Sequence, residues 1–138
     1  MYVSGYTNGD VDGNGVAVLA DTFIAKYDPN GNQTWIRQYR GLIQENPSGT
    51  RVAYLWHMEP SSDGSLYVAG HTTGTVGAQS FGNADIIVAK LTQNGDIVWL
   101  SQVGTAEGED PYDVDLLSDG DAVVCGGTFD AFPEHAKQ

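Results

Sequence analysis

The sequence predicts an all-β fold assembled from repeated four-stranded antiparallel units, and three observations predict it. Four Asn-Gly or Asp-Gly pairs, Asn30-Gly31, Asp63-Gly64, Asn94-Gly95 and Asp119-Gly120, sit between short apolar segments. Such pairs are strong hairpin signals, because both residue types tolerate the positive φ that a tight turn demands. A long stretch of the chain repeats itself 64 residues later, and a shorter element occurs three times.

The long repeat lays Asp21 to Gln38 over Asp85 to Gln102. Asp21 and Asp85, Ala25 and Ala89, Lys26 and Lys90, Asn30 and Asn94, Gly31 and Gly95, Trp35 and Trp99, and Gln38 and Gln102 coincide, 7 identities in 18 ungapped positions. The short element is Tyr2-Val3-Ser4-Gly5-Tyr6-Thr7, matched by Tyr67-Val68-Ala69-Gly70-His71-Thr72 and by Val123-Val124-Cys125-Gly126-Gly127-Thr128, at offsets of 65 and 56. The turns at 63–64 and 119–120 join a preceding strand, about 53–59 or 112–117, to this element. Those at 30–31 and 94–95 join a Phe/Ile-x-Ala-Lys strand to a Trp strand. Each unit thus holds four strands, and the nearly continuous apolar run Ile86-Ile87-Val88-Ala89 suits a strand covered on both faces. Four antiparallel strands recurring about every 60 residues point to β-propeller blades. The expected fold is a partial β-propeller of about two and a quarter units, one domain over 1–138 divided near 1–50, 51–110 and 111–138. A β-sandwich with a fortuitous duplication is the competing reading.

The pattern Asp-x-Phe/Ile-x-Ala-Lys, then Asn-Gly and Trp, with Val-x-Gly-x-Thr before it, resembles the SBBP family of β-propeller repeats. The likeness runs from Tyr2 to Tyr39, from Arg51 to Val103 and from Pro111 to Thr128. It implies a propeller fold, an extracellular or cell-surface setting, and no catalytic residues.

Composition narrows the partners. The 18 Asp and Glu outnumber 6 Lys and Arg for a net charge of -12, which repels nucleic acid and anionic membranes and favours cations and basic partners. No stretch approaches the ~20 apolar residues of a membrane span, and the N-terminus shows no basic region followed by an apolar one. Apolar residues at 41% argue for a folded chain. Cys125 is the only cysteine, so no intramolecular disulfide forms, and its apolar run predicts a small buried side chain.

Repeated residues are read first as structural. Trp35 and Trp99 are expected in a core between blades, with a stacking platform for sugar or peptide as the alternative. Asp21 and Asp85 are expected to accept backbone hydrogen bonds across a turn, and Lys26 and Lys90 to pair with an acid or lie over the sheet. The non-repeated segment Asp10-Val11-Asp12-Gly13-Asn14-Gly15, ending at Asp21, has the oxygen spacing of an EF-hand loop. Calcium is therefore the one cofactor expected, with Asp10, Asp12, Asn14 and Asp21 as its ligands. Position 12 of that loop is Asp rather than Glu and no helices flank it, so an ordinary acidic surface loop is the alternative.

His57, His71 and His135 are scattered outside any catalytic motif, and Glu107, Glu109 and Asp110 read as a solvated loop, so no catalytic residue is assigned. The expected function is a non-enzymatic propeller scaffold or binding module, calcium-stabilised, with a protein or glycan partner. The alternative is a fragment of a carbohydrate-active or other hydrolytic propeller, with paired carboxylates beside an exposed aromatic such as Trp56. Nine strands are too few to close a propeller ring, so either the chain is cut from a longer array or, if this is its native length, self-association is expected.

Overall fold

A computed structural model of the chain describes residues 1–15, 21–40, 52–76 and 81–131. Among them lie nine strands: β1 (Tyr2–Thr7), β2 (Asp21–Tyr27), β3 (Gln33–Tyr39), β4 (Ala53–Pro60), β5 (Leu66–Thr72), β6 (Asp85–Leu91), β7 (Ile97–Val103), β8 (Glu109–Leu116) and β9 (Ala122–Thr128). The glycine turns set their order. Gly31, Gly64, Gly95 and Gly120 all have φ between 81° and 92°, and each donates its N–H to the carbonyl three residues earlier. These turns make hairpins of β2–β3, β4–β5, β6–β7 and β8–β9.

The strands form three antiparallel sheets, β1-β2-β3, β4-β5-β6-β7 and β8-β9. The sheets are unequal and open, and none closes or curls, so the expected partial β-propeller is not what the chain builds. A radial arrangement needs equivalent blades, each covered alike on both faces. Only the middle sheet has four strands, and the two outer sheets differ in strand number and in cover.

The main core lies between the first and middle sheets, where Ile24 meets Leu55, Leu66, Val68, Ile87 and Leu91. A smaller cluster of Tyr67, Ala69 and Val114 joins the middle sheet to β8. β5 supplies alternate residues to both clusters and is buried along nearly its whole length. The run at β6 behaves differently from expectation: Ile87, Ala89 and Leu91 are buried while Ile86 and Val88 are only partly covered.

Most repeated residues prove to be devices that place strands. Tyr2, Lys26 and Trp35 face one another across β1, β2 and β3, and Tyr67, Lys90 and Trp99 do so across β5, β6 and β7. In each rung the ammonium lies over the Tyr ring, at 5.4 and 5.0 Å, and Lys90 also reaches Asp63 at 3.5 Å. Thr7, Thr72 and Thr128 each accept the N–H two residues on, a side-chain turn that ends the strand. Gln38 donates to Asp21 and accepts from Val11 N–H. Gln102 repeats this with Asp85 and Val76, and Asp85 also accepts the Phe81 N–H. The two Asp–Gln pairs latch the β1–β2 and β5–β6 connections onto the ends of their sheets.

Two burial expectations are reversed. Trp99 is 40% exposed, whereas Trp35 is partly buried and donates its indole N–H to Gln93 O at 3.0 Å. The β6–β7 turn covers Trp35, and among the described residues the third sheet has no counterpart of that turn to cover Trp99. Cys125 is exposed for a related reason: β9 turns Ala122 and Val124 toward the smaller cluster and leaves Val123 and Cys125 outside.

Candidate functional site

The loop at 10–15 is organised by a cation that the chain itself supplies. Arg40, just beyond β3, places its guanidinium between Asp10 and Asp12, hydrogen-bonded to Asp10 and 2.7 Å from Asp12 Oδ1. Asp10 also accepts N–H groups of Gly13 and Gly15, and Asp12 those of Asn14 and Gln38. Burial works to raise the Asp12 carboxyl, but the Gln38 N–H, the Arg40 guanidinium and Asn14 outweigh it and hold the group well below its usual range. Of the four residues expected around calcium, Asp10 and Asp12 thus converge on Arg40. Asn14 is exposed on the loop, and Asp21 receives the Gln38 amide at the start of β2. Residues 16–20, between the loop and Asp21, lie outside the described residues. Among the described residues no group of three or more His, Cys, Asp or Glu side chains is placed to hold a metal ion.

The second constellation is an aromatic face across β1, β4 and β5. In β4 the register slips between Leu55 and His57, so Trp56 is the extra residue of a bulge opposite β5. The bulge presses the Tyr54 carbonyl onto Gly70, where a Cβ would collide with it. Tyr54 and Trp56 stack in parallel, with centroids 4.8 Å apart and planes 8° apart. His71 meets both rings edge-on, at 5.4 and 5.1 Å, and Tyr6 of β1 meets Tyr54 edge-on at 5.3 Å. Trp56 and Tyr6 are 45% and 59% exposed.

Carboxylates border this face. Asp110 Oδ1 lies 2.7 Å from His71 Nδ1, and Asp113 Oδ1 lies 4.0 Å from His57 Nδ1. Both acids sit on β8, which repeats the bulge of β4: its register slips between Pro111 and Asp113, Tyr112 is the extra residue, and Gly126 takes the place of Gly70. Glu109, expected in a solvated loop, is instead buried at the head of β8. Its carboxylate accepts the Thr105 N–H and the hydroxyls of Thr105 and Thr128, which ties the third sheet to the segment before it.

The chain matches no family model, and no curated protein matches it. The resemblance to SBBP repeats is therefore not supported, and with three open sheets in place of a ring, neither a propeller scaffold nor a propeller enzyme fragment is supported. No helix among the described residues is long and apolar enough to cross a membrane.

Sequence reasoning considered Trp56 only as a neighbour for a carboxylate pair and passed over Tyr54, His71 and Asp110 as a group. One signal for the face was present: Trp56 and Tyr112 each stand fourteen residues before a repeated glycine, Gly70 and Gly126.

Proposed function

We propose that the Tyr54–Trp56 face recognises a cationic side chain of a protein partner. The observation that carries this reading is the parallel ring pair with an exposed indole, bordered by Asp110 through His71. The face of an indole ring is negative, and a guanidinium or ammonium laid over it is attracted by the ring quadrupole and by nearby carboxylates together. An excess of 18 acidic over 6 basic side chains adds a long-range field of the same sign, which favours encounter with basic segments. A pyranose ring could stack on the same indole but would gain nothing from that field, so salt dependence separates the two ligand classes.

The test is calorimetric titration of the chain with a short arginine-rich peptide and, separately, with a neutral oligosaccharide. The peptide is expected to bind, to weaken as salt is raised, and to lose roughly fivefold in affinity on Trp56→Ala, about 1 kcal/mol. Trp56→Ala changes no charge, so a non-specific ionic attraction would survive it. Unchanged peptide affinity in that variant overturns the reading, and salt-independent binding of the oligosaccharide replaces it with glycan stacking.

A further inference from the structure

The internal repeat separates what the strands require from what the aromatic face adds. His71 fills a slot of the thrice-repeated element that holds Tyr6 in β1 and Gly127 in β9, so a histidine is not needed there to build the strand. In the middle sheet this slot sets an ionisable ring against both members of the stacked pair, edge-on to Tyr54 at 5.4 Å and to Trp56 at 5.1 Å.

The same ring is tied to the third sheet, where Asp110 Oδ1 on β8 lies 2.7 Å from His71 Nδ1. A carboxylate only accepts hydrogen bonds, so Nδ1 carries the hydrogen of the neutral ring and Nε2 is the atom open to a second proton. The His71 and Asp110 side chains are 20% and 52% exposed, so water reaches the pair. Among the described residues the titratable groups around His71 are Asp110 on β8 and Tyr54 on β4. Its partner on β6 is Ile86, and β1 reaches the cluster through Tyr6. His57 and Asp113, 4.0 Å apart, form a separate pair between β4 and β8.

Charge on this ring changes what the face offers a cation. With His71 neutral, the Asp110 carboxylate and the faces of the Tyr54 and Trp56 rings act together on an incoming guanidinium. A second proton sets a positive charge against those rings and that carboxylate. Their attraction is then satisfied inside the chain, and the incoming cation meets a like charge. Imidazole is the side chain suited to make this change between about pH 5 and pH 8. We infer that His71 makes the Tyr54–Trp56 face a pH-gated site, which takes up a basic segment at neutral pH and releases it on acidification. The inference rests on the reading of this face as a cation-recognising surface and adds its regulation.

The test repeats the titration of the full chain with the arginine-rich peptide at about pH 7.5 and about pH 5.5, across which arginine keeps its charge. Affinity is expected to fall roughly tenfold, the combined weight of a surface ion contact and a cation–π contact. His71→Gln keeps a hydrogen-bond donor for Asp110 but takes no charge, and is expected to bind equally at both pH values. His57→Gln should keep the fall. In the chain without peptide, nuclear magnetic resonance should show the Trp56 indole N–H, assigned by its loss in Trp56→Phe, moving with the same pH midpoint as the His71 ring protons. That measurement decides the matter should His71→Gln fold poorly. Equal affinity of the parent chain at the two pH values, an undiminished fall in His71→Gln, or an indole resonance indifferent to the His71 titration overturns the gate and leaves the cation reading in place. No peptide binding at either pH overturns the cation reading itself, and the gate falls with it.

Discussion

At the residue scale, Asp12 shows how an acidic loop is tied down by a cation of the chain's own. Its carboxylate accepts two backbone N–H groups and pairs with Arg40, so its ionised form is favoured in the folded chain against a usual value of 3.8. The sign follows from that depression: the folded state binds the proton less readily than the unfolded one, so the stabilisation is complete above the unfolded value and is lost as pH falls through the folded one. Asp12→Asn is expected to lower stability by about 1–3 kcal/mol at neutral pH. The gap to the parent should shrink steadily below about pH 4 in urea unfolding; a gap constant from pH 7 to pH 2 would show that Asp12 acts through shape alone. The loop was visible in the sequence as clustered oxygens, but Arg40 was not. It lies thirty residues from Asp10, and only the folding of β3 back beside the loop joins them.

At the element scale, two bulges shape the strands that carry the aromatic face and its bordering carboxylates. Gly70 and Gly126 each sit beneath the strand before them, and a Cβ at Gly70 would meet the Tyr54 carbonyl and the Leu55 backbone. Because the obstacle is backbone rather than a flexible side chain, Gly70→Ala is expected to cost about 1–3 kcal/mol. It should also unstack Tyr54 from Trp56, which near-ultraviolet circular dichroism of the folded variant would register as a loss of aromatic signal. Full retention of both stability and signal would contradict the bulge as the cause of the face. The repeat of Val-x-Gly-x-Thr and the turns were legible in the sequence because each depends on residues of one hairpin, whereas the Tyr–Lys–Trp rungs emerged only when β1, β2 and β3, and β5, β6 and β7, were paired. The role of the repeated glycine was not legible, since it depends on where the preceding strand slips.

At the scale of the whole molecule, cover by a neighbouring sheet decides what a strand pattern cannot. Trp35 and Trp99 share a sequence context, a rung and a cross-strand lysine, and the sequence placed both in a core. Trp35 meets another sheet's turn, whose Gly95 would bring a Cβ to 3.0 Å from the indole, while Trp99 meets the ring of Tyr67 on its own sheet edge-on at 6.1 Å. The same limit undid the propeller expectation, because strand count and spacing describe each sheet but not how three unequal sheets stack. Trp35→Ala is therefore expected to destabilise the chain by about 2–3 kcal/mol through lost burial and a partial cavity. Trp99→Ala should cost about 1 kcal/mol or less, since it removes surface already half in water. Urea unfolding of both variants with an unchanged m-value would measure the difference directly. Equal losses would mean that the exposed face of β7 is covered in solution.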